Sequence, residues 1–186
     1  MSPLAHKAIL LDREQMARVM RRMAGEVAER NAGVESVMLV GIRTRGVPLA
    51  EYLASEIERA EGQAPTQGIL DITLYRDDLS VIAPQPVVKE SRLPGRLDGC
   101  NVVLCDDVLY TGRTIRAALD ALMDYGRPRT VQLAVLVDRR GHRELPIHAD
   151  FVGESVQTSD REVIKVQFAD TDGGDEVVEL YEREDG

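Results

Sequence analysis

Short, continuously apolar runs alternate along this chain with stretches in which apolar residues recur every three or four positions. Val37 to Val40, Ile69 to Leu74, Val102 to Cys105 and Val131 to Val137 are of the first kind. They predict strands buried on both faces of a parallel sheet. Met16, Val19, Met20, Met23 and Val27 form a stripe predicting a helix over about 13–30, with Asp12 and Gln15 placed as a capping box and Asn31 and Gly33 ending it. Leu49, Leu53 and Ile57 predict a second helix behind Pro48, and Ile115, Ala118, Leu119 and Leu122 a third. Lys7 to Leu11 is a further strand or an ordered lead-in. Val163 to Phe168 and Val177 to Tyr181, around a turn over 170–175, predict a closing hairpin, with an acidic, solvated tail over 182–185. Strands alternating with helices predict an α/β domain with a mainly parallel sheet.

Composition narrows the class. The 186 residues fit one domain, with hydrophobic content of 44% and charged content of 30%. No apolar run reaches membrane-helix length and no signal-peptide layout opens the chain, so a cytoplasmic protein is expected. Cys100 and Cys105 match neither a zinc nor a redox spacing and read as core thiols. The net charge of −9 repels nucleic acid at long range, so RNA binding would need basic residues gathered on one face. Arg18, Arg21 and Arg22 share a face of the first helix, but Glu14 and Glu29 share it too, which also reads as a solvated, charge-laced surface.

Candidate chemistry concentrates in one stretch, NVVLCDDVLYTGRTIRAAL over 101–119. A buried strand ends in Asp106 and Asp107, and a small turn, Thr111-Gly112-Arg113-Thr114, opens a helix. That is where open α/β sheets bind ligands. Unpaired N–H groups of the turn, with the Thr111 and Thr114 hydroxyls, would cradle a phosphate. Two carboxylates would repel that phosphate but accept hydrogen bonds from vicinal hydroxyls. Together they describe a ribose 5-phosphate site; an N-cap pair beside a solvent-facing turn is the alternative. A second strand-to-helix turn, Gly41-Ile42-Arg43-Thr44-Arg45-Gly46, offers arginine forks suited to diphosphate, or to bridging surface carboxylates. Tyr75-Arg76-Asp77-Asp78 opens a long polar stretch to about Gly99, where Asp77 and Asp78 could serve a site or only cap a turn. Asp138-Arg139-Arg140-Gly141-His142-Arg143 follows another strand and could serve base recognition, an anion or a solvated loop.

VVLCDDVLYTGRT resembles the phosphoribosyl-diphosphate (PRPP) signature of type I phosphoribosyltransferases. VGIRTRGVPLA, DITLYRDDLS and LAVLVDRRGHRELPIHADFVG narrow the resemblance to the PyrR family, pyrimidine operon attenuation regulators that are also uracil phosphoribosyltransferases. The likeness runs through nearly the whole chain. It implies one domain over 1–186 with a flexible loop at about 76–99 and a small hood from about 138–186 joined by the N-terminal segment. It implies transfer of phosphoribosyl from Mg²⁺-bound PRPP to uracil, giving UMP and diphosphate, with a purine base as a weaker alternative. Substrate contact falls on Thr44, Arg45, Asp106, Asp107, Val108, Leu109, Tyr110, Thr111, Gly112, Arg113, Thr114 and Ile164. Arg45 and Arg76 would carry the leaving diphosphate, and Asp106 and Asp107 the ribose diol. Related chains read VDRGHREL, so the extra arginine here leaves Arg139 or Arg140 as the substrate-side residue, with Arg139 preferred. Leader-RNA contact would fall on Arg21, Arg22, His142 and Arg143. Glu154, Ser155 and His148 stand where related chains carry lysine, asparagine and arginine, so the regulatory surface is less basic than the family's. A homodimer or larger assembly is expected from the resemblance.

Overall fold

The computed structural model describes residues 3–77 and 90–184. Five strands form a parallel sheet: β2 (Val37–Ile42), β3 (Thr66–Leu70), β4 (Asn101–Leu109), β5 (Thr130–Arg140) and β6 (Phe151–Gln157), ordered β3-β2-β4-β5-β6. Alternate side chains divide each strand between two apolar layers. Val103 and Cys105 of β4 join the layer under α1 (Arg13–Arg30) and α2 (Gly46–Glu61), whereas Val102 and Leu104 join the layer under α3 (Arg113–Met123). Helices cover both faces, which is why these strands read as unbroken apolar runs.

The first helix has the bounds its sequence predicts, and both arms of its capping box are formed. A second, three-stranded sheet stands over the carboxyl ends of the main one. It pairs β1 (Leu4–Leu11), β8 (Val177–Arg183) and β7 (Glu162–Gln167), all antiparallel, with a four-residue helix α4 (Ala169–Asp172) inside the expected hairpin.

Four boundaries differ from expectation. The strand expected over 69–74 is β3, which starts at Thr66 and stops at Leu70. Asp71 accepts the Thr73 N–H at 2.7 Å and turns the chain into a 3₁₀ turn, Thr73–Tyr75. Asp106 and Asp107 lie within β4 rather than after it, because β5 continues to pair with it as far as Leu109 and Asp138. Likewise β5 runs on through Arg139 and Arg140, opposite Val156 and Gln157 of β6. Glu182 and Arg183, expected in a solvated tail, pair with Ala5 and Leu4 in the hood.

Half of the expected loop, 78–89 with Asp78, lies outside the described residues. Its returning arm is placed: Arg92 and Ile69 exchange both backbone hydrogen bonds, at 2.8 and 2.7 Å, against the edge of β3.

Candidate active site

Chain order reverses between β2 and β4: β3 follows β2 on one side, and β4 to β6 extend on the other. In open α/β sheets that reversal leaves a crevice outside the strand ends. The two turns singled out in the sequence border it. Asp106 and Asp107 lie near the carboxyl end of β4, and the Arg43–Arg45 turn follows β2 beside them. The fit is close enough to exclude a side chain at 46, since a Cβ there would lie 2.1 Å from the Cys105 carbonyl oxygen. Glycine is required at that contact.

The carboxylates are held in an environment that opposes their charge. Burial pushes Asp106 well above the usual carboxylate range, and the neighbouring Asp107 charge pushes the same way. Burial also raises Asp107, opposed by the Val108 N–H and by Arg45. Asp106 accepts the Asp107 N–H at 3.0 Å, and Asp107 accepts the Val108 N–H at 2.9 Å. Asp106 is buried and Asp107 half-buried, and two such carboxyls side by side oppose each other's ionisation. A donor-rich ligand such as a diol, or a cation carried by a ligand, would relieve them.

On the other side of the crevice, Arg45 donates to Asp172 of α4 at 2.7 Å. Arg45, Asp107 and Ile164 line one cavity of about 430 Å³ with Lys165, Val166, Gln167 and Asp172. Three residues far apart in sequence thus converge under the hood. The Nε atoms of Arg43 and Arg45 are buried with no hydrogen-bond partner, so the turn holds donor capacity in reserve. Thr44 between them is exposed.

At the phosphate turn, Gly112 adopts the left-handed φ of +95° and caps α3 without a side-chain bond. The Arg113 N–H meets the Thr111 hydroxyl at 3.4 Å, a long contact that an anion at this helix start could displace. Thr111, Arg113 and Thr114 line a cavity of about 210 Å³ with Arg76 and Asp77. Arg76 thus stands by the phosphate turn, apart from the Arg45 cavity. The Arg113 side chain borders this cavity already paired, with Asp77 at 2.7 Å and Glu144 at 2.6 Å. Leu109 is buried, and Val108 and Tyr110 are half-buried.

Of the two alternative arginines, Arg139 is buried and its donors are engaged. It bonds the Thr158 hydroxyl at 3.0 Å and the Ser159 and Glu162 carbonyls at 3.3 and 3.0 Å, with its guanidinium 4.0 Å above the Tyr110 ring. It knits β5 to the β6–β7 connection. Arg140 is exposed and reaches the Ser155 hydroxyl at 3.2 Å.

The four candidate RNA residues divide into two places. Arg21 and Arg22 lie exposed on α1, paired with Glu56 at 3.3 Å and Glu26 at 2.7 Å. His142 and Arg143 sit mostly enclosed beside the phosphate turn, their side chains 12% and 18% exposed.

Lys165, Gln167 and Asp172 escaped sequence reasoning. Asp172 left a trace, an acidic run in the hairpin turn. Nothing in the alternating pattern of β7 marked which of its side chains face the crevice.

A model of the phosphoribosyl transferase domain family matches residues 6–171. The chain is 55% identical over 181 residues to the bifunctional protein PyrR of Deinococcus radiodurans, covering 97% of this chain and 98% of that one. It is 58% identical over 178 residues to the bifunctional protein PyrR of Thermus thermophilus, covering 96% and 97%. Among solved structures, the hypoxanthine phosphoribosyltransferase of Trypanosoma cruzi superposes with a TM-score of 0.72 at 14% identity, covering 96% of this chain and 98% of that one. That of Staphylococcus aureus gives 0.69 at 16%, covering 94% and 92%. At such identities the structural likeness shows the fold, which is the expected type I phosphoribosyltransferase fold. The chain belongs to the phosphoribosyl transferase family and, within it, to the PyrR proteins.

Proposed function

We propose that this chain transfers phosphoribosyl from PRPP to uracil, releasing UMP and diphosphate, and that UMP or a related nucleotide tunes its binding to a pyrimidine-operon leader RNA. The observation that carries the enzymatic reading is the crevice itself. A carboxylate pair, Asp106 buried and Asp107 half-buried, stands between an arginine turn and a helix-opening turn.

Each part has a task. Thr111 to Thr114 anchor the 5-phosphate by backbone N–H groups and hydroxyls. Asp106 and Asp107 accept the ribose hydroxyls and fix the ring. Arg45 exchanges Asp172 for the diphosphate, and Arg76 adds charge from the loop root. The ribose C1–oxygen bond breaks as positive charge develops on the ring, the bond to uracil nitrogen forms, and that nitrogen loses its proton. Nothing covalent is asked of the protein, so rate comes from positioning and charge stabilisation.

Magnesium binds through one or two carboxylates plus substrate oxygens rather than in an all-protein cage. The Asp106–Asp107 pair fits that donor set, and among the described residues no larger His, Cys, Asp or Glu cluster is formed. Mg²⁺ entering with PRPP would supply charge neutralisation on the diphosphate. The 164–167 stretch of β7 would border the base from the hood. Product formation with uracil and hypoxanthine in competition tests the assignment: UMP alone supports it, and inosine monophosphate as the main product overturns it.

The relatives' bifunctional name favours a second activity. On a chain of charge −9, RNA contact must rest on local cations such as Arg21 and Arg22. Titrating leader RNA from this chain's own pyrimidine operon across a salt series, with and without UMP, tests it. UMP-enhanced, salt-sensitive and sequence-selective binding is the expected result. Binding no better than to an unrelated hairpin would remove the regulatory half of the proposal. We further propose a homodimer or larger assembly, checked by light scattering.

A further inference from the structure

The phosphate turn is gripped from outside by a segment that contributes no atom to the cradle. The Arg143 guanidinium donates both to the Tyr110 carbonyl and to the Asp138 carboxylate, a pair whose side chains are each only 18% exposed. The next two residues continue the grip, with the Glu144 and Leu145 N–H groups donating to the Thr111 carbonyl at 3.0 and 3.3 Å. The Tyr110 ring is flanked by the Arg139 guanidinium at 4.0 Å and the His142 ring at 5.1 Å. His142 is tied in turn to the Thr158 carbonyl at 2.7 Å and to Asp160 at 3.1 Å.

The geometry has a consequence for ligand binding. In a trans peptide the carbonyl of one residue and the N–H of the next point in opposite directions. Pinning the Tyr110 and Thr111 carbonyls toward the 143–145 segment therefore aims the Thr111 and Gly112 N–H groups the other way, away from that segment and toward the cradle. Those are the first two N–H groups of the turn. A left-handed glycine at 112 would otherwise let its peptide planes rotate.

We propose that Arg143, anchored by Asp138, is a positioning residue that orients the phosphate turn. It sets affinity for the 5-phosphate end of PRPP and UMP without touching either. This rests on the PRPP-site reading above and deepens it. It also gives a residue expected at an RNA surface an internal task, so that a change at 143 reaches RNA through the nucleotide.

The test uses Arg143→Ala, Arg143→Lys and Asp138→Asn in the full chain, with calorimetric binding of UMP, ribose 5-phosphate and inorganic diphosphate, and steady-state kinetics. Loss of the pinning bonds should weaken UMP and ribose 5-phosphate about tenfold in Arg143→Ala and raise KM for PRPP in parallel. Diphosphate, held by the Arg45 turn, should bind as in the parent, and kcat should change less than KM. Arg143→Lys should recover part of the loss, and Asp138→Asn should reproduce it more weakly. Unchanged UMP affinity in all three variants overturns the proposal, as does an equal loss for diphosphate, which marks general damage to the fold. Should Arg143→Ala fail to fold, the other two variants carry the same comparison. A parent chain that binds neither PRPP nor UMP would instead overturn the functional reading on which this rests.

Discussion

The two strand-to-helix turns that meet at the β2–β4 border are both proposed to receive an anion, yet they are built differently. The turn after β2 is pressed against β4 so tightly that no side chain fits at 46, and it presents guanidinium groups. The turn after β4 holds its one arginine in ion pairs with Asp77 and Glu144 and offers backbone N–H groups. Side-chain cations suit a leaving group of high and changing charge. A backbone cradle suits a phosphate that only needs to be held in place. One turn is rigid by packing on its own sheet; the other borrows its rigidity from residues 143–145.

Packing substitutions should break this comparison most visibly. Gly46→Ala drives a Cβ into a backbone carbonyl that cannot yield, and should cost about 3 kcal/mol or more, on the order of 10 °C in Tm. Gly112→Ala meets the Ile147 and Leu145 side chains at 3.4 and 3.5 Å, and carries chiefly its left-handed backbone cost of about 1–2 kcal/mol. Thermal melts of the two variants side by side check the asymmetry.

Next in size is the chemistry between the turns. Asp107→Asn keeps the shape of the pair but removes the charge that would hold the ribose and steady the developing cation. Turnover should fall by about 100-fold with no loss of Tm. Unchanged turnover would remove Asp107 from the mechanism.

The carboxylate pair should also betray itself in stability. Both carboxyls bind protons more tightly in the folded chain than in the unfolded one, because burial raises them. The folded state is therefore favoured as pH falls into their raised range, and above it the ionised pair costs stability. Asp106→Asn should melt about 3 °C above the parent at pH 8, with the gap closing on acidification. A gap that is absent or widens toward acid would contradict the assigned environment.

The smallest effect concerns the resting partner of the arginine turn. Asp172→Asn frees Arg45 and should tighten inorganic diphosphate by about threefold, as expected for a partly exposed ion pair. Calorimetry reads it directly, and UMP affinity should not follow.

Much of this architecture is legible in the sequence, for physical reasons that also mark where legibility stops. Strands covered on both faces must be apolar throughout, so β2, β4 and β5 announce themselves, and the capping box gives α1 its start. The edge strand β3 opens with polar Thr66 and Gln67 because one side of it is not sandwiched, and Asp71, Ile72 and Thr73 mimic a strand while folding into a turn. Both carboxylates and both turns are visible because their residue types are chemically unusual where they stand. The task of Arg143 is invisible, because its partner at the turn is a backbone carbonyl that any residue could supply. Asp172 and Lys165 reach the crevice only through the hairpin's register, which no local pattern records.

The most direct test of the account is to incubate the purified chain with PRPP, Mg²⁺ and uracil and to follow UMP and diphosphate together, with Asp107→Asn in parallel. Equimolar UMP and diphosphate are expected from the parent chain, and a rate about 100-fold lower from the variant. Diphosphate released without UMP, or equal rates from the two chains, would contradict it.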